Sequence, residues 1–315
     1  MTNDIKRKHH FVPAFYLRGF TDPSSDNMIW VYNKGSNNPF CEKPENIGLE
    51  KHYHTFENLD GSKDTNTIED YFCHVWEGPT KTIIDQIKAG KFPVGDDRKF
   101  FASFLGLSFT RSPNHRANVD YATAQMLKSF SQFSATNQEY FVQSLKDYEY
   151  KMGEKLTDDP EELRQYILEG RYDVKVTPEL YLKMFISHGI QLGLVIAKMK
   201  WAFIRATDRF SFLTSDNPFF FHDPSPSSSS FWRGVGLLNE NVEVTFPISK
   251  ELALIATWKD SMTEMYIQGS HELARTINRC SVAAAHRAVY ASEKSDALLR
   301  LVRKFANDRP TVAVG

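Results

Sequence analysis

Residues 201–221 read WAFIRATDRFSFLTSDNPFFF, and the change of pattern here decides the fold class. Upstream, residues 178–200 repeat apolar side chains at helical spacing and form the most apolar helix of the chain. From Trp201 the apolar residues gather instead into short β-branched and aromatic runs parted by turn residues. WAFIRAT, FSFLTSDNPFFF, VEVTFPIS and LALIATW each suit one strand, so a small antiparallel β-rich part is expected around residues 200–258. Between them HDPSPSSSSFWRG, residues 222–234, reads as a mobile Pro/Ser loop.

Moving outward toward the N-terminus, the charged and aromatic stretch 137–172 reads as surface helices. A long helix is expected to start near Asp96 or Asp97, whose carboxylates suit a helix N-terminus, and to be interrupted at Pro113 before helical spacing resumes. In TNTIEDYFCHVWEGPTKTIIDQIKAG, Ile68, Phe72, Val75 and Trp76 share one helical face, with a kink predicted just before Pro79. MIWVYNK alternates as a short strand, and KHYHTF reads as another extended piece. On the C-terminal side, residues 270–292 are predicted helical with Leu273, Ile277 and Ala284 on a shared face, and a last helix covers DALLRLVRKF. The expectation is an α+β fold, mostly helical, in one domain over 1–315. Its parts are an HH segment with short strands (1–60), a helical middle (65–200), the β-rich part (201–258) and C-terminal helices (268–307).

A formal net charge of -1 provides no global field for holding a polyanion, so nucleic acid must be met by a local basic patch. Cys41, Cys73 and Cys280 form neither a disulfide framework nor a zinc knuckle, and reduced thiols in a cytoplasmic protein are expected. The polar MTNDIKRKHH lacks the apolar region of a secretory signal. The longest apolar candidate, Met184 to Phe203, is broken by His188, Gln191, Lys198 and Lys200, and no uninterrupted apolar run reaches the roughly 18 to 20 residues a spanning helix needs, so no membrane partner is expected.

Several polar clusters carry potential chemistry. In KHHFVPAFYLRGF, residues 8–20, Pro13 suits the first turn of a short helix stopped at Gly19. His9 and His10 then lie just upstream of a helix N-terminus, a setting that favours an anion, with Lys8 or Arg18 as further partners. One packed and one solvated histidine explain the same letters. In IEDYFCHVWE, Glu69, Cys73 and Glu77 run along a drifting helical stripe beside an Asp70–His74 pair. Glu69 lies near Trp76, and if buried it must be paired, protonated or metal-bound; a solvated acidic face is the plainer alternative.

TRSPNHR places Arg111 at a helix break, where its fork suits a carboxylate or phosphate. The Arg-spacer-His pattern of helical ribonucleases has a longer spacer than the one ending at His115. FLTSDNPFF sets Asp216 on a strand-end loop as a candidate ligand, base or histidine partner, although Ser/Asp/Asn-Pro is equally a turn signal. KHYHT offers His52 and His54 as a pair with no third ligand fixed by spacing. His188, His271 and His286 sit in helical surroundings and read as core or surface. P-loop, GxGxxG, HExxH and GxSxG patterns are absent.

Taken in order, HHFVPAFYLRGF, IEDYFCHVWE, RSP, TSDNP and FPISKELAL resemble a bacterial family known as domain of unknown function 4238, over most of the chain. The resemblance implies that His9, His10, Pro13, Tyr16, Leu17, Phe20, Glu69, Glu77, Arg111, Pro113, Ser215, Asp216 and Pro218 occupy signature positions. It supplies no reaction. The Ser-rich loop at 227–230 and the charged stretch 145–172 look particular to this chain.

Two readings of function follow. In one, the chain is a hydrolase or nuclease-like enzyme acting on a phosphodiester or nucleotide, with a bacterial effector in phage defence or a toxin as one setting. His9 or His10 is then acid, base or ligand, and Arg111 neutralises developing charge. Glu69, Glu77 and Asp216 bind a divalent metal ion or activate water, the cofactor itself being left open. In the other, the same residues form a buried ion network in a ligand-binding or sensor module.

Overall fold

The structure, a computed structural model, describes residues 8–58, 60–207, 210–224 and 236–308. Most of the Pro/Ser loop and the first seven residues therefore lie outside the described residues. Contacts gather into two compact units, one from residues 8–116 with 178–308 and one from residues 117–177.

In chain order the first unit begins with β1 (Lys8–His10), α1 (Ala14–Leu17), β2 (Ile29–Asn33), β3 (Phe40–Glu42), β4 (Leu49–Lys51) and the hairpin β5 (Phe56–Glu57) and β6 (Lys63–Asp64). Helices follow as α2 (Thr67–Tyr71), a π-helical segment (Phe72–Glu77), α3 (Gly78–Lys88), α4 (Gly95–Thr110) and α5 (Pro113–Thr136), the last crossing into the second unit. The second unit adds α6 (Gln138–Met152) and α7 (Pro160–Glu169). The first unit resumes with α8 (Pro178–Ile196), β7 (Lys200–Arg205), β8 (Thr214–Ser215), β9 (Phe220–His222), β10 (Glu243–Ser249), β11 (Leu252–Thr257) and β12 (Met265–Gln268). It closes with α9 (His271–Ala284), β13 (Ala288–Ala291) and α10 (Asp296–Lys304).

This is an α+β fold, with about 49% of residues helical and 18% in strands gathered into several small sheets. The β-rich part forms a five-stranded sheet in the order β12-β7-β11-β10-β9. Trp201 to Ile204 of β7 are all buried, which explains why this strand reads as a continuous apolar run rather than an alternating one. One edge departs from the antiparallel expectation: β12 pairs β7 in parallel and extends the sheet to Gln268.

A four-stranded sheet, β3-β2-β13-β8, joins strands from both ends of the chain and the middle. The helix expected over 270–292 stops at Ala284, and Ala288–Ala291 pairs antiparallel with β2 and β8 instead. Here sheet pairing overrides an Ala-rich helical preference. The extended piece expected at KHYHTF is a turn between β4 and β5, with His52 in the left-handed region at φ 58°.

The helical core is the crossing of α4 and α8. A Cβ on Gly106 would lie 2.0 Å from the Gly189 carbonyl oxygen, and one on Gly193 2.3 Å from Ser103 Cα, so backbone meets backbone there. Phe101 to Leu107, on all sides of α4, are buried, Ser103 among them. The kink expected before Pro79 takes the form of the π-helical segment Phe72–Glu77. Proline lacks an N–H and crowds the carbonyl four residues back, and a wider turn accommodates both.

Within the second unit, Asn137 and Asp159 cap α6 and α7 by accepting backbone N–H groups, and Gly153 and Gly170 end them in left-handed conformation. The many exposed side chains of α6 and α7, Tyr150 among them, agree with surface helices.

Candidate functional site

The opening histidines lie on a strand. β1 pairs antiparallel with β4, His9 opposite Glu50 and His10 opposite Leu49, so the pleat sends the two imidazoles to opposite faces. His9 is fully buried. α1 follows and is only one turn long, Ala14–Leu17 after Pro13.

The turn after β4 brings His54 back under His9. The His54 backbone N–H donates to His9 Nδ1 at 2.8 Å, and the two rings stack at 5.8 Å, 12° from parallel. Phe185 of α8 stacks on His54 at 5.9 Å and 4°. His54 Nδ1 lies 2.6 Å from Oε1 of Glu69, which α2 presents in its first turn. A carboxylate only accepts, so His54 Nδ1 carries the ring proton and its Nε2 keeps a lone pair. That Nε2 is buried and has no hydrogen-bond partner among the described residues.

Charges follow from these contacts. Burial pushes the His54 imidazole down to about 4, against the raising pull of Glu69. Burial pushes the Glu69 carboxyl up, but the His54 hydrogen bond and the Arg111 charge outweigh it and hold it at about 2. Near neutral pH the pair is therefore a neutral imidazole hydrogen-bonded to a carboxylate.

Arg111 ends α4 and is 3% exposed. Its guanidinium lies over the Phe72 ring at 4.0 Å, donates to the His10 carbonyl, and leaves Nε without a partner among the described residues. Burial lowers its pKa while the charges of Glu69 and Glu77 raise it, which puts both carboxylates in the field of this one cation. The π-helical segment matters here. One extra residue per wide turn makes the eight-residue step from Glu69 to Glu77 behave as about seven helical positions, roughly two turns with about 20° of drift. His10 is half-buried, and burial and then Arg111 lower its pKa.

Asp216 has a different setting. Oδ1 accepts the His286 N–H at 2.7 Å, and Oδ2 accepts those of Arg287 at 2.6 Å and Ala288 at 3.1 Å. These amides are released where α9 ends and β13 begins, so the carboxylate ties two chain segments together. Tyr16 ties a third: its hydroxyl lies 2.7 Å from Thr214 Oγ1 and donates to the Pro247 carbonyl at 2.7 Å.

The chain matches the family model described as "Protein of unknown function (DUF4238)" over residues 8–295. It belongs to this DUF4238 family. No curated protein and no solved structure matches it. The DUF4238 match spans His9, His10, Glu69, Glu77, Arg111 and Asp216. Of these, the structure groups His9, Glu69 and Arg111 around His54, puts Glu77 in the field of Arg111, sets the His10 carbonyl on Arg111, and engages Asp216 with backbone amides. Sequence reasoning named His54 only as half of a His52–His54 pair and did not place it with the other candidate site residues. Its signal was the KHYHT pair, but spacing does not show that β1 lies beside this turn.

Proposed function

We propose that the chain is a hydrolase acting on a phosphodiester or nucleotide, with His54 as proton acceptor, Glu69 as its positioning carboxylate and Arg111 as the cation facing negative charge. The observation that supports this is the His54 imidazole: one nitrogen is held by Glu69 and the other is a buried lone pair without a partner. A carboxylate that sets the tautomer of a histidine and leaves the second nitrogen free is the arrangement general base catalysis requires. A bacterial effector nuclease, in phage defence or as a toxin, is the setting such an activity would suit.

The test is turnover by the purified protein on single-stranded RNA, single-stranded DNA and nucleotides. His54→Ala is expected to lower kcat/KM by about 100-fold or more, and Glu69→Gln to lower kcat with little change in KM. On the acid side kcat/KM is expected to fall as His54 takes up a proton near pH 4. Undiminished turnover in a folded His54→Ala protein would overturn the assignment.

A second reading is favoured by burial: His9, His54 and Arg111 are 0%, 1% and 3% exposed. In a structural ion network of a ligand-binding or sensor module, the same variants lose stability and there is no turnover to lose.

A further inference from the structure

Among the described residues, His9, His54 and Glu69 form the one set of three His, Cys, Asp or Glu side chains whose donor atoms all lie within 4.8 Å of one another. We propose that these three side chains bind a divalent transition-metal ion. The inference does not depend on the hydrolase reading and gives His54 a different role, since an ion at Nδ1 leaves Nε2 carrying the ring proton.

Two imidazoles and one carboxylate are the donor set of open zinc sites and of iron and manganese centres, with coordination positions left for water or an anion. The three donors come from separate parts of the chain, the strand β1, the turn after β4 and the first turn of α2, so the fold rather than local sequence assembles them. His9 accepts the His54 amide through Nδ1, so this ring holds a lone pair and is not an imidazolium. His54 donates through Nδ1 to Glu69, and to ligate there its proton moves to Nε2, the nitrogen now without a partner. No net proton is lost in that exchange. The ion replaces two hydrogen bonds by three coordinate bonds.

Charge favours a cation. Glu69 and Glu77 both act on Arg111, and two carboxylates against one guanidinium leave the group with a net negative formal charge. A divalent ion reverses that sign, and the Arg111 guanidinium beside it then makes the open coordination positions suited to a phosphate or carboxylate ligand.

The experiment uses the full chain stripped with a chelator and dialysed, then titrated with Zn²⁺, Mn²⁺ or Co²⁺ by calorimetry, with bound metal counted by mass spectrometry. One ion per chain is expected, with a visible Co²⁺ absorption of nitrogen and oxygen ligands. Affinity is expected to fall by about 100-fold or more in His54→Ala and in Glu69→Gln, and to stay unchanged in His271→Ala. A wild-type chain that takes up none of the three ions overturns the proposal without any variant having to fold. Equal uptake by folded His54→Ala and Glu69→Gln proteins overturns it as well. Turnover tells the two readings apart: a chain that binds one ion and hydrolyses nothing supports the metal site and removes only the hydrolase reading. A chain that takes up none of the three ions and still hydrolyses overturns the metal site and leaves the hydrolase reading standing.

Discussion

Asp216 and Glu69 are carboxylates in dry surroundings, and their partners give them different work. Burial pushes the Asp216 carboxyl up to about 6 against the pull of three backbone amides, whereas Glu69 is held at about 2 by an imidazole and a guanidinium. Replacing Asp216 with Asn removes the charge and turns one acceptor into a donor facing an N–H. The Asp216→Asn protein is expected to lose at least about 2 kcal/mol, read as a lower urea midpoint at unchanged slope. A midpoint equal to wild type would show that the 286–288 amides find other acceptors. Both residues were legible as candidates, because a polar residue between apolar runs stands out in TSDNP and in IEDYF. Their different roles were not, since a role depends on what lies opposite, and the His286 amide is 70 residues away along the chain.

At the scale of elements, the α4–α8 crossing and the π-helical segment do most to place the site. α4 carries Arg111 at its end and α8 carries Phe185 against His54, so the distance between these helices sets the room around the imidazole. Gly106→Ala puts a methyl group into the Gly189 carbonyl and is expected to cost about 3 kcal/mol or more. Gly78→Ala, where an added Cβ meets nothing within 4 Å, is expected to stabilise by about 0.5–1 kcal/mol. Thermal midpoints of the two variants, moving in opposite directions, check this; a harmless Gly106→Ala would mean the helices do not approach as closely. The helices themselves were readable from apolar spacing and from Asp96, Asp97 and Pro113. Their crossing was not, because glycine in a helix marks a close approach without saying to what.

For the molecule as a whole, buried imidazoles set the response to acid. Burial lowers the pKa of His10, His54, His115 and His222, with His54 and His115 reaching about 4 from an ordinary 6.5. Between those values the unfolded chain binds more protons than the folded one, so their contribution is fully present above about pH 6.5 and is lost as pH falls toward 4. Glu69 adds a loss between 4.5 and about 2, while Asp216 acts in the opposite sense between about 6 and 3.8. Four imidazoles outweigh one carboxylate, and urea midpoints are expected to fall steadily from pH 7 to pH 4. His54→Phe, which keeps a ring between His9 and Phe185, is expected to make that fall shallower. A curve as steep as wild type would mean His54 is not neutral in the native state. Among the described residues no helix is long and apolar enough to cross a membrane, in keeping with the interrupted run from Met184 to Phe203.

By itself the sequence determined what short-range physics controls: helical spacing in α4 and α8, the apolar runs of β7 and β11, the break at Pro113, and the polar segments that mark the DUF4238 family. Tertiary structure alone decided that Ala288–Ala291 leaves an Ala-rich helix to pair with β2, that a π-helical turn sets Glu77 in phase with Glu69, and that His54 stands between His9 and Glu69. The reason is that periodicity reports which face of an element is apolar, whereas a site is made where faces of different elements meet. That meeting is set by strand pairing and helix packing over separations that no local pattern encodes.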